Sequence, residues 1–248
     1  MALATTTAYS AVASMSGNGC WVVAASVRDP RNAGVSRERT WSGRIGSKAI
    51  HRHDFGKALY ATQPTTAIDG AGRAYVLWRS QTPGPDYTIS STAPWHLHAT
   101  SIDPSGKHVT AVQRIADGKG FSAFSVAASP NSGAVIEYSD ATFHSHVSMF
   151  GTDGLLMPVT GGPPPDSDPG PVAYGATGIP YVFWRDSKAN KIYASLVDGT
   201  TLQLPEDTDA PDTPDNVVVS SSPSGQPRLY WIDAQSATPQ LRSSTRLP

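Results

Sequence analysis

A single cysteine, Cys20, is the only thiol in the 248-residue chain, so no intramolecular disulfide can brace it. That fits a reducing compartment, and secreted proteins without disulfides share the feature. Charge is scarce as well. Charged residues make up 16% of the chain, and 19 Lys+Arg against 20 Asp+Glu leave a formal net charge of −1. The balance excludes a protein built mainly to grip nucleic acid or an anionic membrane. It also excludes a strongly charged disordered chain. No stretch approaches 18 uninterrupted apolar residues, so no transmembrane helix is expected. The opening MALATTTAYSAVASM has no basic region, and Thr and Ser break its apolar run, so no secretory leader is read there. A leader already removed would look the same. The expectation is a soluble protein, cytoplasmic or secreted.

Helical periodicity is missing too, because 22 Gly and 21 Pro interrupt most long windows. There is no Gly-x-Ser-x-Gly elbow, no P-loop and no Gly-x-Gly-x-x-Gly. The sialidase-type Ser-x-Asp-x-Gly-x-x-Trp box is also unmatched.

What the chain does contain is a repeat. Gly72-Arg73-Ala74-Tyr75-Val76-Leu77-Trp78-Arg79-Ser80, Gly178-Ile179-Pro180-Tyr181-Val182-Phe183-Trp184-Arg185-Asp186 and Gly225-Gln226-Pro227-Arg228-Leu229-Tyr230-Trp231-Ile232-Asp233 align, each with its Trp six residues after a turn glycine. Weaker copies run from Gly133 to Tyr138 and from Gly19 to Ala24. The anchors Ala24, Trp78, Tyr138, Trp184 and Trp231 are spaced by 54, 60, 46 and 47 residues, with 41 more around the termini. Each unit reads as a short strand, a turn, the anchor strand, a third strand and a less distinct fourth. Four short strands in a unit of this size predict a β-propeller. The expected fold is therefore all-β: a single domain over residues 1–248, a five-bladed propeller of four-stranded antiparallel blades. The ring would be closed by an N-terminal strand, Leu3–Ser10, beside one near Leu241–Leu247, removing an exposed edge. A six-bladed ring with one degenerate blade is the alternative.

In such a meander, the ends of the anchor strands, the starts of the third strands and the acidic loops Pro163–Pro171 and Pro205–Asn216 share one face, where function concentrates. Two readings of Trp78, Tyr138, Trp184 and Trp231 follow. They are stacking platforms for sugar rings, with Arg79, Arg185, Asp186, Tyr193 and Asp233 supplying hydrogen bonds, or they pack between neighbouring blades. The pairs His96/His98 and His144/His146 each put two imidazoles on one side of a strand, a pattern able to bind a divalent metal, although no cofactor is expected. Arg37, Tyr193 and Arg242 are expected at the equivalent position of the other units. The six carboxylates between Asp198 and Asp215 suggest an extended, solvated link, with calcium as a further possibility. Residues 28–57 show the opposite bias, eight Lys/Arg against Asp29, Glu38 and Asp54, a charge asymmetry able to steer an anionic ligand or an oligomeric partner or simply a neutralised surface. The cluster His51-Arg52-His53-Asp54 is expected on a surface loop.

The Tyr-Val-x-Trp-Arg-Asp strand followed by Ile192-Tyr193-Ala194-Ser195 resembles the repeat grammar of small β-propeller lectins and of sialidase-like propellers. Length and unit count are closest to the five-bladed tachylectin type. The resemblance spans nearly the whole chain and implies multivalent sugar binding without catalysis. Departures are the unequal units, the missing aromatic of the first, and the absence of Arg after the anchor in the first, third and fifth. Five-bladed glycoside hydrolases are a second resemblance, and Asp69, Glu137 and Asp186 could serve as their carboxylates.

Three functions are therefore weighed. The first is a lectin-like module binding a carbohydrate or another small polar or aromatic ligand, as a monomer or small homo-oligomer. The second is a small hydrolase, lyase or cyclase using Glu137, His98, His146, Arg79 and Arg185 at the channel mouth. The third is an interaction scaffold.

Overall fold

The apolar runs of the repeat become strands buried on both faces. In Ala74–Gln81 every residue is buried, and in Pro180–Asp186 the run Pro180 to Trp184 is buried. A strand with one wet face would alternate. These do not, because their residues are buried on both faces, as continuous Val/Tyr/Phe/Trp runs require.

The protein is described here from a computed structural model, covering residues 8–29, 32–55, 60–82, 93–118, 123–163, 167–186, 188–203, 206–211, 217–220, 227–233 and 240–244. Among these residues all regular structure is β-strand, and no helix is long and apolar enough to cross a membrane. The chain divides into two compact units, Met1–Phe121 and Ser122–Pro248.

The first unit holds two four-stranded antiparallel meanders. Sheet one comprises β1 (Ala8–Met15), β2 (Cys20–Asp29), β3 (Asn32–Arg44) and β4 (Ile50–Phe55). Sheet two comprises β5 (Tyr60–Ile68), β6 (Ala74–Gln81), β7 (Trp95–Ile102) and β8 (Gln113–Gly118). They pack face to face through Val22, Ala24, Ala61, Val76, Trp78 and Ile102. Ala24, the first anchor, lies in the same buried cluster as Trp78, the second.

The second unit holds three sheets. Sheet three comprises β9 (Phe124–Ala128), β10 (Ala134–Ser139), β11 (Ser145–Phe150) and β12 (Leu156–Pro158). Sheet four comprises β13 (Asp168–Tyr174), β14 (Pro180–Asp186) and β15 (Lys191–Asp198), with a fourth strand split into β16 (Thr201–Leu202) and β17 (Glu206–Pro211), both pairing β15. Sheet five has three described strands, β18 (Val218–Ser220), β19 (Arg228–Asp233) and β20 (Gln240–Ser243). Val182 and Trp184 face sheet three with Val135 and Val147. Tyr181 and Phe183 face Leu229 and Trp231 of sheet five.

All five anchors fall on the second strand of successive sheets. The turn glycines Gly19, Gly72, Gly133 and Gly178 all take φ between 80° and 93°, a region side chains disfavour. Gly225 lies outside the described residues. So do residues 3–7 and 245–247 of the expected closing strands. Within the described part, β1 pairs β2 and β20 pairs β19. Two loop expectations are corrected. Residues 206–211 form strand β17, with Asp207 neutralised by Lys191. Residues 212–216 of that stretch, and 164–166 of the other acidic loop, are outside the description. His51 to Asp54 form part of β4, whose register alternates His51 and His53 inward against sheet two.

Candidate functional site

Sheet two carries a connected set of polar and aromatic side chains at the end where β6 passes to β7. Register explains how they meet. Arg79 pairs with Leu97 on β7 and with Thr62 on β5. A bulge between Thr62 and Thr65 then throws Gln63 out of the ladder, at φ 52°. Gln63 Oε1 accepts a hydrogen bond from Arg79 Nη1 at 2.8 Å. The Arg79 guanidinium lies 4.6 Å from the centroid of the Trp95 ring. Tyr60 meets Trp95 edge-on at 6.1 Å. Gln81 Nε2 donates to the Ala93 carbonyl at 2.8 Å, pinning the start of β7. Arg79 is 2% exposed, and burial lowers its pKa. Trp95 and Tyr60 are half-buried and Gln63 is exposed. A buried cation thus holds an amide and an indole in fixed positions.

The opposite face of β6 and β7 meets β4 of sheet one in a different set. The rings of His53, Phe55, Trp78 and His98 stack in succession, at 6.3, 5.2 and 5.3 Å between centroids. His98 Nε2 lies 2.8 Å from Ser80 Oγ. Burial pushes His98 down to about 4, helped by His96 and Arg114 and opposed by Asp117. His96 Nδ1 is 2.9 Å from Asp117 Oδ1, which also accepts from Arg114 Nε at 2.6 Å. The Arg114 hydrogen bond is the largest cause holding Asp117 down at about 2.

In sheet three, the corresponding end presents Tyr138 and His146, paired across β10 and β11 with rings 5.6 Å apart. His146 Nε2 lies 2.7 Å from Asp140 Oδ2. Asp140 also accepts from Thr142 N and Oγ1 and from His144 N, and Thr142 Oγ1 is 3.2 Å from His144 Nδ1. Burial raises the Asp140 pKa, but these hydrogen bonds outweigh it and hold the carboxyl well below its ordinary range. Glu137 points to the other face. It is fully buried, with Oε1 accepting from Ser145 Oγ at 2.6 Å and Oε2 from Gly170 N at 3.2 Å. Burial pushes its pKa well up despite both bonds.

The sequence-derived candidates therefore sort as follows. Trp78, Trp184 and Trp231 are buried among apolar neighbours, at 1%, 1% and 8% exposure, which matches the packing reading. Each anchor faces a third-strand residue directly: Trp78 faces His98, Tyr138 faces His146, Trp184 faces Tyr193 and Trp231 faces Arg242. In sheet one the partner of Ala24 is Thr40, while Arg37 pairs with Val27, three residues away. Arg185 is half-buried, and Asp186 Oδ1 accepts from Lys188 N and Ala189 N, closing a turn. The Asp233 side chain lies outside the description. Among the described residues no group of three or more His, Cys, Asp and Glu is placed to hold a metal. The enzyme candidates do not converge within either unit. Arg79 and His98 leave opposite faces of sheet two, and Glu137 and His146 opposite faces of sheet three, since adjacent strand positions alternate.

Tyr60, Gln63 and Trp95 were not singled out from sequence. Trp95 does carry a signal: it begins the third strand, directly before His-x-His. Gln63 carries none, because a bulge is not written in the repeat.

No family model and no curated protein sequence matches the chain. Among solved structures, a protein of unknown function from Dyadobacter fermentans aligns with a TM-score of 0.54 at 13% identity, over 97% of this chain and 83% of its own. That is a likeness of fold. Aleuria aurantia lectin in complex with alpha-methyl-L-fucoside aligns with a TM-score of 0.49 at 12% identity, over 94% of this chain and 72% of the lectin. AofleA from Arthrobotrys oligospora gives 0.48 at 12%, over 94% and 67%.

Proposed function

We propose that the chain is a carbohydrate-binding, lectin-like protein, its five sheets the blades of one propeller, and that its saccharide site is the β6–β7 end of sheet two. The observation carrying this is the arrangement of Arg79, which is bonded to Gln63 and laid over Trp95. A sugar offers an apolar C–H face and a rim of hydroxyls. A fixed indole with a fixed amide beside it answers both, and little side-chain entropy remains to be lost on binding. Tyr60 adds a hydroxyl at the same end. Gln63 supports the reading further, since a non-glycine residue held at positive φ costs about 1 kcal/mol or more and such strain gathers at functional positions. Tyr138, His146 and Asp140 offer a second ring-and-carboxylate surface in the other unit.

The enzyme alternative has less support. Glu137 has both carboxyl oxygens bonded inside the protein, and its strand neighbour Tyr138, not Glu137 itself, faces His146.

A glycan array with the intact chain tests the proposal. The expected result is selective retention of a small set of saccharides, reproduced by titration. An absence of saccharide binding at millimolar concentration would reject it.

A further inference from the structure

The layer between sheets one and two is not uniformly apolar. Glu38, Thr40 and Ser42 occupy alternate positions on β3, so all three point from one face. Their cross-strand partners on β2 are Ser26, Ala24 and Val22. Ala24 and Val22 pack in the cluster that contains Trp78, so this face is the one turned to sheet two. Glu38 and Thr40 are fully buried and Ser42 is 5% exposed.

Glu38 Oε2 accepts from Ser26 Oγ at 3.1 Å. Glu38 Oε1, Thr40 Oγ1, Ser42 Oγ and the indole Nε1 of Trp78 are buried with no hydrogen-bond partner in the protein. Four such atoms in one layer are exceptional, because buried polar groups are overwhelmingly paired with protein or ordered water. Trp78 reaches the row through Phe55, on which it stacks at 5.2 Å and which pairs with Glu38.

We propose that the layer between sheets one and two is a hydration site, holding a file of internal water bonded to Glu38, Thr40, Ser42 and Trp78. The spacing suits water. Alternate strand residues are about 6.8 Å apart, too far for their short side chains to bond directly and close enough for one water to bridge. The donor set suits it as well. Two hydroxyls and the carboxyl, kept neutral by burial, both give and accept, and the indole only gives, so the row offers water donors and acceptors alike. The file has an outer end. Ser42 pairs with His51, and a methyl group at Gly106 would sit 2.8 Å from both Ser42 Oγ and His51 Cδ2, so the Gly106 turn closes over that end. His53 is bonded to the Gly106 carbonyl at 2.9 Å and fixes the turn there. This inference is independent of the saccharide site, which lies on the other face of sheet two.

The test is a crystal structure of the intact chain at a resolution that shows water, with crystals grown in sodium chloride and in rubidium chloride. The expected result is water within hydrogen-bond distance of Glu38 Oε1 and bridging Thr40 Oγ1 to Ser42 Oγ, the same in both salts. A dry layer would overturn the proposal, and so would a rubidium anomalous peak, which would make the occupant a cation. Thr40→Val gives a solution readout. A hydrated hydroxyl loses a partner, so the thermal midpoint should fall. If the hydroxyl is simply unsatisfied, its removal raises the midpoint, which would also overturn the proposal.

Discussion

Arg79 lays its guanidinium over Trp95 from the neighbouring strand, 4.6 Å from the ring centroid, while its Nη1 holds Gln63. The cation itself is buried, so its contribution is to fix what lies above it. Arg79→Lys would keep the charge but lose the planar stacking and the fork that reaches Gln63. The expected outcome is a chain that folds with saccharide affinity weakened by about tenfold, equal to about 1.4 kcal/mol. Titration calorimetry beside a far-ultraviolet circular dichroism spectrum checks it.

Trp184 should behave differently. It is buried among Val135, Val172 and Val182, and its loss opens a cavity between sheets three and four. Trp184→Ala is expected to cost about 3–5 kcal/mol. Chemical denaturation would register this as a large drop in midpoint. A change below about 1 kcal/mol would mean that the ring is not the packing element described.

Gly170 sits at the bulge of β13, where a methyl group would lie 2.3 Å from the Phe183 carbonyl oxygen. Its N–H also donates to buried Glu137, and its carbonyl accepts from Ser125 Oγ. Gly170→Ala should therefore push β13 off β14 and loosen Glu137 at once. A loss of about 1–3 kcal/mol is expected, with Ala inserted at a neighbouring exposed position as the control in thermal melts.

Two groups in the first unit make stability depend on pH with opposite signs. Burial raises Glu38 from near 4.5 to about 8, partly offset by the Ser26 hydrogen bond. Its folded form keeps a proton that the unfolded chain gives up. Stability is full below pH 4.5 and is lost as pH rises toward 8, by up to about 1.4 kcal/mol per pH unit. Glu38→Gln removes that loss, so its melting curve should exceed the parent's at pH 8 and match it near pH 4. Burial lowers His98 from 6.5 to about 4. There the unfolded chain gains a proton first, and stability is lost as pH falls from 6.5 toward 4. Imidazole signals of His98 in a proton NMR titration should stay unshifted down to pH 5.

The strand plan was legible because it is written in periodic chemistry. Gly72, Gly133 and Gly178 mark turns that need positive φ, and the apolar runs ending at Trp78, Tyr138, Trp184 and Trp231 mark the middle strands. The wet-or-dry state of those rings was not legible, since a tryptophan in a repeat reads the same whether a sugar or a neighbouring sheet covers it. Thr40 rather than Arg37 opposite Ala24 depends on the length of the β2–β3 hairpin. Gln63 depends on a bulge, and the unpaired atoms of Glu38, Thr40 and Ser42 depend on which face of β3 turns inward. None of these is carried by residue spacing alone.

The most direct test of the saccharide site is titration of an array-selected sugar into the parent chain and into Trp95→Ala, with heat measured in both. The half-exposed position of Trp95 makes the substitution compatible with folding. Saturable binding by the parent is expected, with a loss of at least about tenfold, or about 1.4 kcal/mol and more, in the variant. Equal affinity in a folded Trp95→Ala protein would contradict it.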